Sequence, residues 1–366
     1  MTQPVSARLP DFPWDSLAAA AERARAHPGG IVDLSVGTPV DPTPEVIRAA
    51  LRAAADAPGY PTTQGTPQLR AAAVRWLARR LGVPEMDPAA VLPTIGSKEL
   101  VAWLPTLLGL GPGSVVVVPE LAYPTYAVGA QLAGAEVVVA DSLVALGPRR
   151  VDLVWVNSPA NPTGRVLPAE HLRKVVAWAR ERGALVVSDE CYIELGWDAE
   201  PVSVLHPDVT GGSLPGLLAV HSLSKRSNLA GYRAGFVTGD RSVVAELLAV
   251  RKHVGLMVPD PVQAAMTAAL DDDQHVVEQR GRYRGRRDLL LVALREAGLR
   301  VEHSEAGLYL WATRDEPCRD TVDWFAERGI LVAPGDFYGA AGARHVRVTL
   351  TATDERVAAA AQRLAG

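Results

Sequence analysis

The chain has 366 residues, of which 48% are hydrophobic, and this size is sufficient for two domains with large buried cores. Its 37 basic and 41 acidic residues give a net charge of -4 without long runs of either sign, which argues against nucleic acid as a partner. The two cysteines, Cys191 and Cys318, are far apart and indicate neither a disulfide framework nor a metal-ligand cluster.

No segment of the sequence reaches the roughly 18 consecutive apolar residues of a membrane span. The first twenty residues also lack the continuous apolar core of a secretory signal. We therefore predict a cytoplasmic protein that is neither exported nor bound to a membrane.

Between residues 37 and 260, short β-branched apolar runs alternate with helical stretches. This alternation is typical of crossover units on a mainly parallel sheet, so the sequence predicts an α/β fold. The predicted strands are 114–118, 136–140, 153–156, 185–188, 217–221 and 234–238, and the predicted helices include 99–108, 171–182 and 241–253.

The remainder of the chain has a different pattern. Segments 261–269 and 274–297 are predicted helices, 307–312 and 345–350 are predicted strands, and a closing helix is predicted from Asp354. This part of the sequence indicates a second, smaller α+β domain.

Polar side chains gather where three of the apolar runs end, which is where open parallel sheets bind ligands. Asp189 follows one buried run and precedes Tyr192, and Asn161 lies in an Asn-Pro-Thr-Gly turn after another. Lys225 follows a third run. Taken singly, the lysine is most simply a surface charge, the aspartate a helix cap and the asparagine part of a plain turn.

The surroundings of Lys225 change that interpretation. Ser222 precedes it by three residues and Arg233 follows it by eight, so a hydroxyl, an amine and a guanidinium converge on one loop. This joint order and spacing favours a functional role for the lysine over that of an isolated surface charge.

In their order and spacing, these segments resemble the fold-type I, class I and II aminotransferases, from about Leu34 to Thr351. The matching motifs are Ser-Val-Gly-Thr-Pro at 35–39, Gly-Ser-Lys at 96–98, Tyr-Pro-Thr-Tyr at 123–126, Asn-Pro-Thr-Gly at 161–164, Asp-Glu-Cys-Tyr at 189–192, Ser-Leu-Ser-Lys at 222–225 and His-Val-Arg at 345–347. The segment after Lys225, Arg-Ser-Asn at 226–228, departs from the family pattern of a small residue and then an aromatic one.

The resemblance implies pyridoxal phosphate as cofactor and a fold-type I architecture, in which helices cover both faces of a mainly parallel, mixed sheet. The implied domains are an N-terminal arm that also contributes to the small domain (1–36), a large cofactor-binding domain (37–265) and a small C-terminal domain (266–366).

For the cofactor ring, the resemblance implies that Lys225 binds covalently and later carries a proton of the substrate. Asp189 would pair with the pyridine nitrogen, and Tyr192 and Asn161 would hydrogen-bond the ring's hydroxyl oxygen. Tyr123 would stack on the ring. For each of these polar or aromatic residues, a merely structural role in the core is the alternative.

The cofactor phosphate requires backbone donors at a helix N-terminus and a fixed cation. The resemblance assigns this phosphate to Gly96, Ser97, Lys98, Ser222 and Arg233. It further implies that Tyr60 reaches the phosphate in the neighbouring subunit, so that the active unit would be a homodimer.

Amino-acid and keto-acid substrates share an α-carboxylate, which requires a second cation. The resemblance assigns this role to Arg347, with Asn161 beside it and Gly37 allowing close approach of the backbone. Other carboxylates of a substrate would need further cations, for which Arg226, Arg251 and Lys252 are available.

Longer stretches, including 30–42, 118–126 and 331–339, resemble the N-succinyldiaminopimelate aminotransferases within this family. The resemblance implies transfer of an amino group from glutamate to a succinylated keto acid, giving 2-oxoglutarate, on the route to lysine and diaminopimelate. Other acceptors, such as those of aspartate, alanine or N-acetyldiaminopimelate aminotransferases, and lyase chemistry with the same cofactor remain open alternatives. A ligand-sensing regulator would carry a DNA-binding segment in front, for which the residues before Leu34 are too few.

Overall fold

The computed structural model describes residues 4–84 and 86–366, and helices and strands alternate through most of this length. The strands are β1 (Val32–Asp33), β2 (Val91–Ile95), β3 (Val115–Val118), β4 (Glu136–Val139), β5 (Leu153–Asn157), β6 (Leu185–Asp189), β7 (Leu217–Ser222), β8 (Ala234–Gly239), β9 (Arg300–Glu302), β10 (Tyr309–Thr313), β11 (Ile330–Leu331), β12 (Ala333–Pro334) and β13 (Val346–Thr349).

The α-helices follow the same chain order. They are α1 (Ala18–Arg25), α2 (Glu45–Ala53), α3 (Pro67–Leu81), α4 (Gly96–Leu107), α5 (Thr125–Ala133), α6 (Ala169–Arg182), α7 (Pro207–Thr210), α8 (Leu223–Arg226), α9 (Arg241–Val254), α10 (Asp260–Asp271), α11 (Gln274–Glu296), α12 (Cys318–Glu327) and α13 (Asp354–Leu364). None of the helices in the described residues is both long enough and apolar enough to span a bilayer.

The main sheet has seven strands in the order β2-β8-β7-β6-β5-β3-β4. Strands β3 to β7 pair in parallel, whereas β8 runs antiparallel to both of its neighbours, β7 and β2. The predicted mainly parallel, mixed sheet is therefore confirmed. The six predicted strands all occur, but β2 was not predicted.

Helices cover both faces of this sheet. Residues of α3, α6 and α10 form one buried cluster with the sheet, and residues of α4, α5 and α9 form another. Neighbouring strand residues such as Val154 and Trp155 belong to opposite clusters, because successive side chains of a strand point to opposite faces. Burial on both faces explains why β5 and β7 are buried at every position.

A third buried cluster lies outside the main sheet. It combines side chains from Leu17 to Leu34 with others from Tyr283 to Leu364 and surrounds the antiparallel sheet β12-β13-β10-β9 and the parallel pair β1-β11. This joining of an N-terminal segment to the C-terminal part supports the proposed division into 1–36, 37–265 and 266–366, whose boundaries stay a prediction. Residues 1–3 of the predicted arm lie outside the described residues.

Candidate active site

A cavity of about 670 Å³ opens at the carboxyl ends of the central strands, where β5, β6 and β7 end at Asn157, Asp189 and Ser222. The predicted site residues that line it are Gly37, Ser97, Lys98, Tyr123, Asn161, Asp189, Tyr192, Ser222, Lys225, Arg233 and Arg347. The large sheet thus supplies the floor, and β10 and β13 supply Tyr309 and Arg347 from the other side.

Two predicted site residues do not line this cavity. Gly96 lies at the first position of α4, next to the cavity residue Ser97. Tyr60 is 97% exposed and lies apart from the cavity of its own chain. Its predicted contact with a neighbouring subunit stays a prediction.

Lys225 lies in the short helix α8, whose first turn is capped by Ser222: the Ser222 hydroxyl accepts a hydrogen bond of 3.2 Å from the Ser224 backbone N–H. The Lys225 ammonium group donates to the backbone oxygen of Gly37. Burial lowers the pKa of Lys225 to about 8, and the guanidinium groups of Arg347 and Arg233 contribute in the same direction. A neutral amine is therefore accessible near neutral pH, as a nucleophile or a general base requires.

Asp189 is buried at the end of β6. One carboxylate oxygen accepts a hydrogen bond from the Tyr126 hydroxyl at 2.8 Å, and the other accepts from the Cys191 backbone N–H at 3.1 Å. Burial raises the pKa of Asp189, and no cationic side chain of the described residues pairs with it. A buried carboxyl group that faces a cavity without a cation fits the protonated ring nitrogen of pyridoxal phosphate.

Two polar residues that we did not predict hold this part of the site. The Asn157 amide donates to the backbone oxygen of Asp189 at 2.9 Å, and its oxygen accepts from the Asn161 backbone N–H at 2.7 Å. Tyr126 bonds Asp189 directly and stacks on Trp155 at 4.7 Å between ring centroids. Tyr126 lies within a matched motif and Asn157 lies shortly before another, and this position in the sequence could have indicated a role in the site.

The opposite end of the cavity presents donors and a cation. Helix α4 follows β2 without a loop and begins at Gly96, whose φ is +71°. A Cβ on Gly96 would overlap the guanidinium group of Arg233. The free backbone N–H groups of the first turn, the Ser222 hydroxyl and Arg233 therefore form a compact cradle that fits a phosphate dianion.

Arg347 is buried on β13 and faces the cavity. Its guanidinium group donates to the Asn161 side-chain oxygen at 2.9 Å and to the Ser35 backbone oxygen at 2.7 Å, and it lies 4.1 Å from the centroid of the Tyr309 ring. These contacts fix the plane of the guanidinium group, as recognition of a carboxylate by two parallel hydrogen bonds requires.

Tyr309 is another aromatic residue of this site that the sequence did not indicate, because it lies within an apolar run that is typical of a core strand. Its hydroxyl is 2.7 Å from that of Tyr192. A Cβ on Gly37 would lie 2.5 Å from the same Tyr309 hydroxyl, so packing against Tyr309 favours a glycine here, and the approach of a ligand to Gly37 stays a prediction.

The additional cations that we considered from the sequence lie elsewhere. Arg226 is buried 2.5 Å from Glu194, and Arg251 is buried 2.8 Å from Glu99. Neither these two nor the exposed Lys252 line the cavity. Lys98 does line it and has no ion-pair partner within the described ranges.

The mouth of the cavity is aromatic. Phe12 and Trp14, from the N-terminal segment, line it with ring centroids 5.5 Å apart, and Trp14 also packs on Phe337 at 5.2 Å. The Lys98 ammonium group lies 5.6 Å from the centroid of the Phe12 ring. The sequence did not indicate that this segment contributes to the site.

Comparison with known proteins gives concordant results. A family model described as aminotransferase class I and II matches residues 30–364. The chain is 69% identical over 360 residues to a "Probable aminotransferase" of Mycobacterium tuberculosis, covering 98% of this chain and 86% of that protein. It is 62% identical over 356 residues to the 4-dedimethylamino-4-oxo-anhydrotetracycline transaminase of Streptomyces rimosus, covering 97% and 99%.

Solved structures agree with these relatives. A probable N-succinyldiaminopimelate aminotransferase from Thermus thermophilus superposes with a TM-score of 0.87 at 29% identity, covering 97% of this chain and 99% of that one.

Proposed function

Since the chain belongs to the class I and II aminotransferase family and uses pyridoxal phosphate, we propose that it is the N-succinyl-LL-diaminopimelate:2-oxoglutarate aminotransferase of lysine and diaminopimelate biosynthesis. The observation that carries this proposal is that the cavity holds two cations, Lys98 and Arg347, besides Lys225 and Arg233, which are assigned to the cofactor. Arg347 suits an α-carboxylate, and Lys98 at the mouth suits a more distant one. Resemblance of the sequence to this subgroup points to the same substrate.

The proposed roles follow from the contacts. Asp189, held by Tyr126, pairs with the ring nitrogen, and Tyr192 and Asn161 bond the ring hydroxyl. Tyr123 covers the ring, and burial raises the pKa of its hydroxyl to about 12, so that it stays protonated. The phosphate would be held by Gly96, Ser97, Ser222, Arg233 and the backbone N–H of Lys98 in the first turn of α4, which leaves the Lys98 ammonium group for the distal carboxylate.

Bound pyridoxal phosphate supplies an electron sink for the charge left when an amino acid loses its α-proton. Arg347 and Asn161 hold the substrate carboxylate, which fixes the α-carbon over the reacting face. The neutral Nζ of Lys225 takes the α-proton and can return a proton on the same face. The aromatic residues at the mouth limit access of water to that amine.

We also propose that the active unit is a homodimer in the cytoplasm, with Tyr60 completing the phosphate site of the partner subunit. Near-complete exposure of this tyrosine in a single chain supports the proposal, since a large aromatic side chain is seldom left so open without a contact. Sedimentation of a Tyr60→Ala variant, together with its cofactor affinity, tests it. A wild type that is monomeric at working concentration would contradict it.

A second candidate acceptor is a large aromatic ketone. Phe12 and Trp14 give the cavity mouth flat apolar walls, and the Streptomyces relative is named for such an acceptor. On this alternative, Lys98 would have no substrate carboxylate to bind.

The test is a half-reaction. Purified holoenzyme is treated with glutamate until the visible absorption band of the lysine-bound cofactor disappears. Each candidate keto acid is then added, and the rate at which this band returns is measured. We expect the succinylated keto acid to restore the band fastest. Faster recovery with a polycyclic ketone would favour the second candidate, and release of ammonia and pyruvate from amino acids would indicate a lyase.

A Lys225→Ala variant is the control for the site itself. We expect it to bind cofactor without a borohydride-reducible linkage. A reducible linkage in this variant would show that another amine is used, without bearing on the acceptor.

A further inference from the structure

Helix α11 presents one polar face to the segments that carry Lys225 and Gly37. The side chains of this face recur at helical spacing and are buried, namely His275, Gln279, Tyr283 and Arg286. None of them lines the cavity. The roles proposed above therefore leave them unexplained.

The first contact from this face reaches Ser227, two residues after Lys225. Ser227 is 0% exposed, and its hydroxyl is 2.8 Å from His275 Nε2. His275 Nδ1 lies 2.5 Å from a carboxylate oxygen of Asp272. Since that carboxylate accepts, Nδ1 donates and Nε2 is left to accept from the serine. Although serine, histidine and aspartate are hydrogen-bonded in the order of a catalytic triad, the buried Ser227 cannot contact a substrate. These hydrogen bonds therefore tether the segment after Lys225 to α11.

The second contact reaches Asn228. Its side-chain amide donates to Gln279 Oε1 at 2.9 Å and to the backbone oxygen of Pro42 at 3.2 Å. Gln279 in turn donates to Asp41 at 2.7 Å. Asn228 has a φ of +54°, a left-handed conformation that costs about 1 kcal/mol in a residue other than glycine and needs such support.

Asp41 fixes which group donates and which accepts in this series of hydrogen bonds from Asn228 through Gln279. Arg286 donates two hydrogen bonds to it, at 2.8 and 2.6 Å. Burial raises the pKa of Asp41, but the hydrogen bonds from Arg286 and Gln279 outweigh it and hold the pKa below its usual value. Asp41 is thus an ionised acceptor, and Gln279 must present its oxygen to Asn228.

These contacts join two segments that meet in the cavity. Residues 41 and 42 continue the loop whose Gly37 oxygen accepts from the Lys225 ammonium group, and Asn228 lies two residues after the end of α8, the short helix that contains this lysine. Ser227 and Asn228 belong to the segment that departs from the family pattern. The departure therefore has a structural counterpart in α11.

We propose that Gln279 and His275 are positioning residues, which hold the Lys225 turn and the Gly37 loop at the separation that places the lysine amine over the substrate α-carbon. The inference rests on the proposed role of Lys225. It adds that the geometry of this amine is set from α11, outside the cavity.

The test replaces Gln279 by methionine, which has a similar volume and lacks the amide. We expect kcat for the glutamate half-reaction to fall about 10-fold or more, because a misplacement of about 1 Å can cost up to about 100-fold. The KM for glutamate should change less than about 2-fold, since Arg347 is untouched. The kinetic isotope effect with α-deuterated glutamate should rise, because proton transfer becomes slower than the other steps.

A readout without substrate is the pH midpoint of the visible absorption change of the holoenzyme. This titration belongs to the nitrogen that links Lys225 to the cofactor, and the positive charges of the neighbouring Arg347 and Arg233 disfavour a proton there. A lysine that can relax away from them should therefore show a higher midpoint. Backbone N–H groups of residues 225–228 should also exchange with deuterium faster in Gln279→Met.

The matched control is Gln274→Met, which makes the same change on the exposed side of α11. It should leave every readout as in the wild type. If Gln279→Met does not fold, Asn228→Gly removes the same contact and keeps the left-handed backbone. A lowered melting temperature with unchanged isotope effect and midpoint would overturn the inference, whereas failure of the Lys225→Ala control would overturn the role of Lys225.

Discussion

At the scale of single residues, Lys225 combines burial with two neighbouring guanidinium groups, and both lower the pKa of its amine to about 8. Neighbouring Cys191 is half-buried, and desolvation raises the pKa of its thiol well above its ordinary value, so it stays neutral near the lysine. Of these two nucleophiles, the amine is therefore the one that deprotonates near neutral pH.

This pKa predicts the pH dependence of cofactor capture. Only the neutral amine attacks an aldehyde, so the rate at which apoprotein binds pyridoxal phosphate covalently should rise with pH and level off above about 8. Stopped-flow absorption between pH 6 and 10 measures it. A rate that keeps rising to the range of an ordinary lysine would contradict the burial argument.

Arg347 gives a second prediction at this scale. Arg347→Lys keeps a charge but loses the planar pair of donors that Asn161 and Ser35 hold in place. We expect kcat/KM for glutamate to fall about 100-fold, equivalent to roughly 3 kcal/mol, while cofactor affinity is unchanged. An amine substrate without a carboxylate is the control, and an equal loss with that amine would refute carboxylate binding by Arg347.

At the scale of elements, the start of α4 shows how a helix and a loop share space. Gly96 adopts a left-handed backbone and leaves room for the Arg233 guanidinium group. The backbone of Arg233 is left-handed as well, with a φ of +57°. Helix α4 ends two residues before Gly109, whose φ is +73°. A Cβ added to Gly109 would have no other atom within 4 Å.

These two glycines form a matched pair for mutation. Gly96→Ala and Gly109→Ala should both lose about 1 kcal/mol of stability, because alanine is strained in the left-handed region. Only Gly96→Ala should displace Arg233, so we expect its cofactor to dissociate at least about 10-fold faster. Equal cofactor retention in the two variants, followed by fluorescence on dilution, would show that the cradle tolerates the methyl group.

Prediction from sequence worked best at this scale for the central strands. All six predicted strands agree with β3 to β8 within one residue at each end. For β3 and β5 to β8, burial on both faces produces uninterrupted apolar runs, whereas β4 lies at the sheet edge, is partly exposed and was predicted from its β-branched residues. Strand β2 was missed because it contains Pro93, and proline within a run argues against a strand. It is tolerated here because β2 is at the edge of the sheet.

At the scale of the whole molecule, the interior contains a pair of titratable groups apart from the cavity. Glu190 is 1% exposed, and one of its carboxylate oxygens, Oε2, lies 3.8 Å from His221 Nε2. Burial raises the pKa of Glu190 to about 7. Burial, with Arg226 nearby, lowers the pKa of His221 to about 3. Both groups are thus favoured in their neutral forms.

Glu190 therefore predicts a pH dependence of stability. A carboxyl pKa raised from 4.5 to about 7 on folding contributes stability that is complete below 4.5 and is lost as the pH rises through about 7. Glutamine at this position does not titrate, so Glu190→Gln does not lose this contribution. On going from pH 5 to pH 8, the free energy of unfolding of the variant minus that of the wild type should therefore rise by about 1–3 kcal/mol. His221 contributes equally to both proteins.

Urea unfolding at the two pH values measures this difference. Glu246→Gln, an exposed position on α9, is the control and should show no such trend. A Glu190→Gln variant that loses stability on going from pH 5 to pH 8, relative to wild type, would mean that the ionised carboxylate is the stabilising form.

The sequence by itself determined the α/β fold, the order of the motifs and part of the set of residues that line the cavity, because each of these depends on short spacings along the chain. Lys225, Asp189 and Arg233 could be identified in this way. Their chemistry follows from residue type and from position at the end of an apolar run.

Only the tertiary structure decided which distant segments meet. It placed Arg226 and Arg251 in ion pairs away from the cavity, brought Phe12 and Trp14 to its mouth, and joined α11 to the turn after Lys225. The physical reason is that periodicity reports which face of an element is apolar. Which polar groups share a buried site depends on how the elements pack, where each group must find a partner or pay the cost of desolvation.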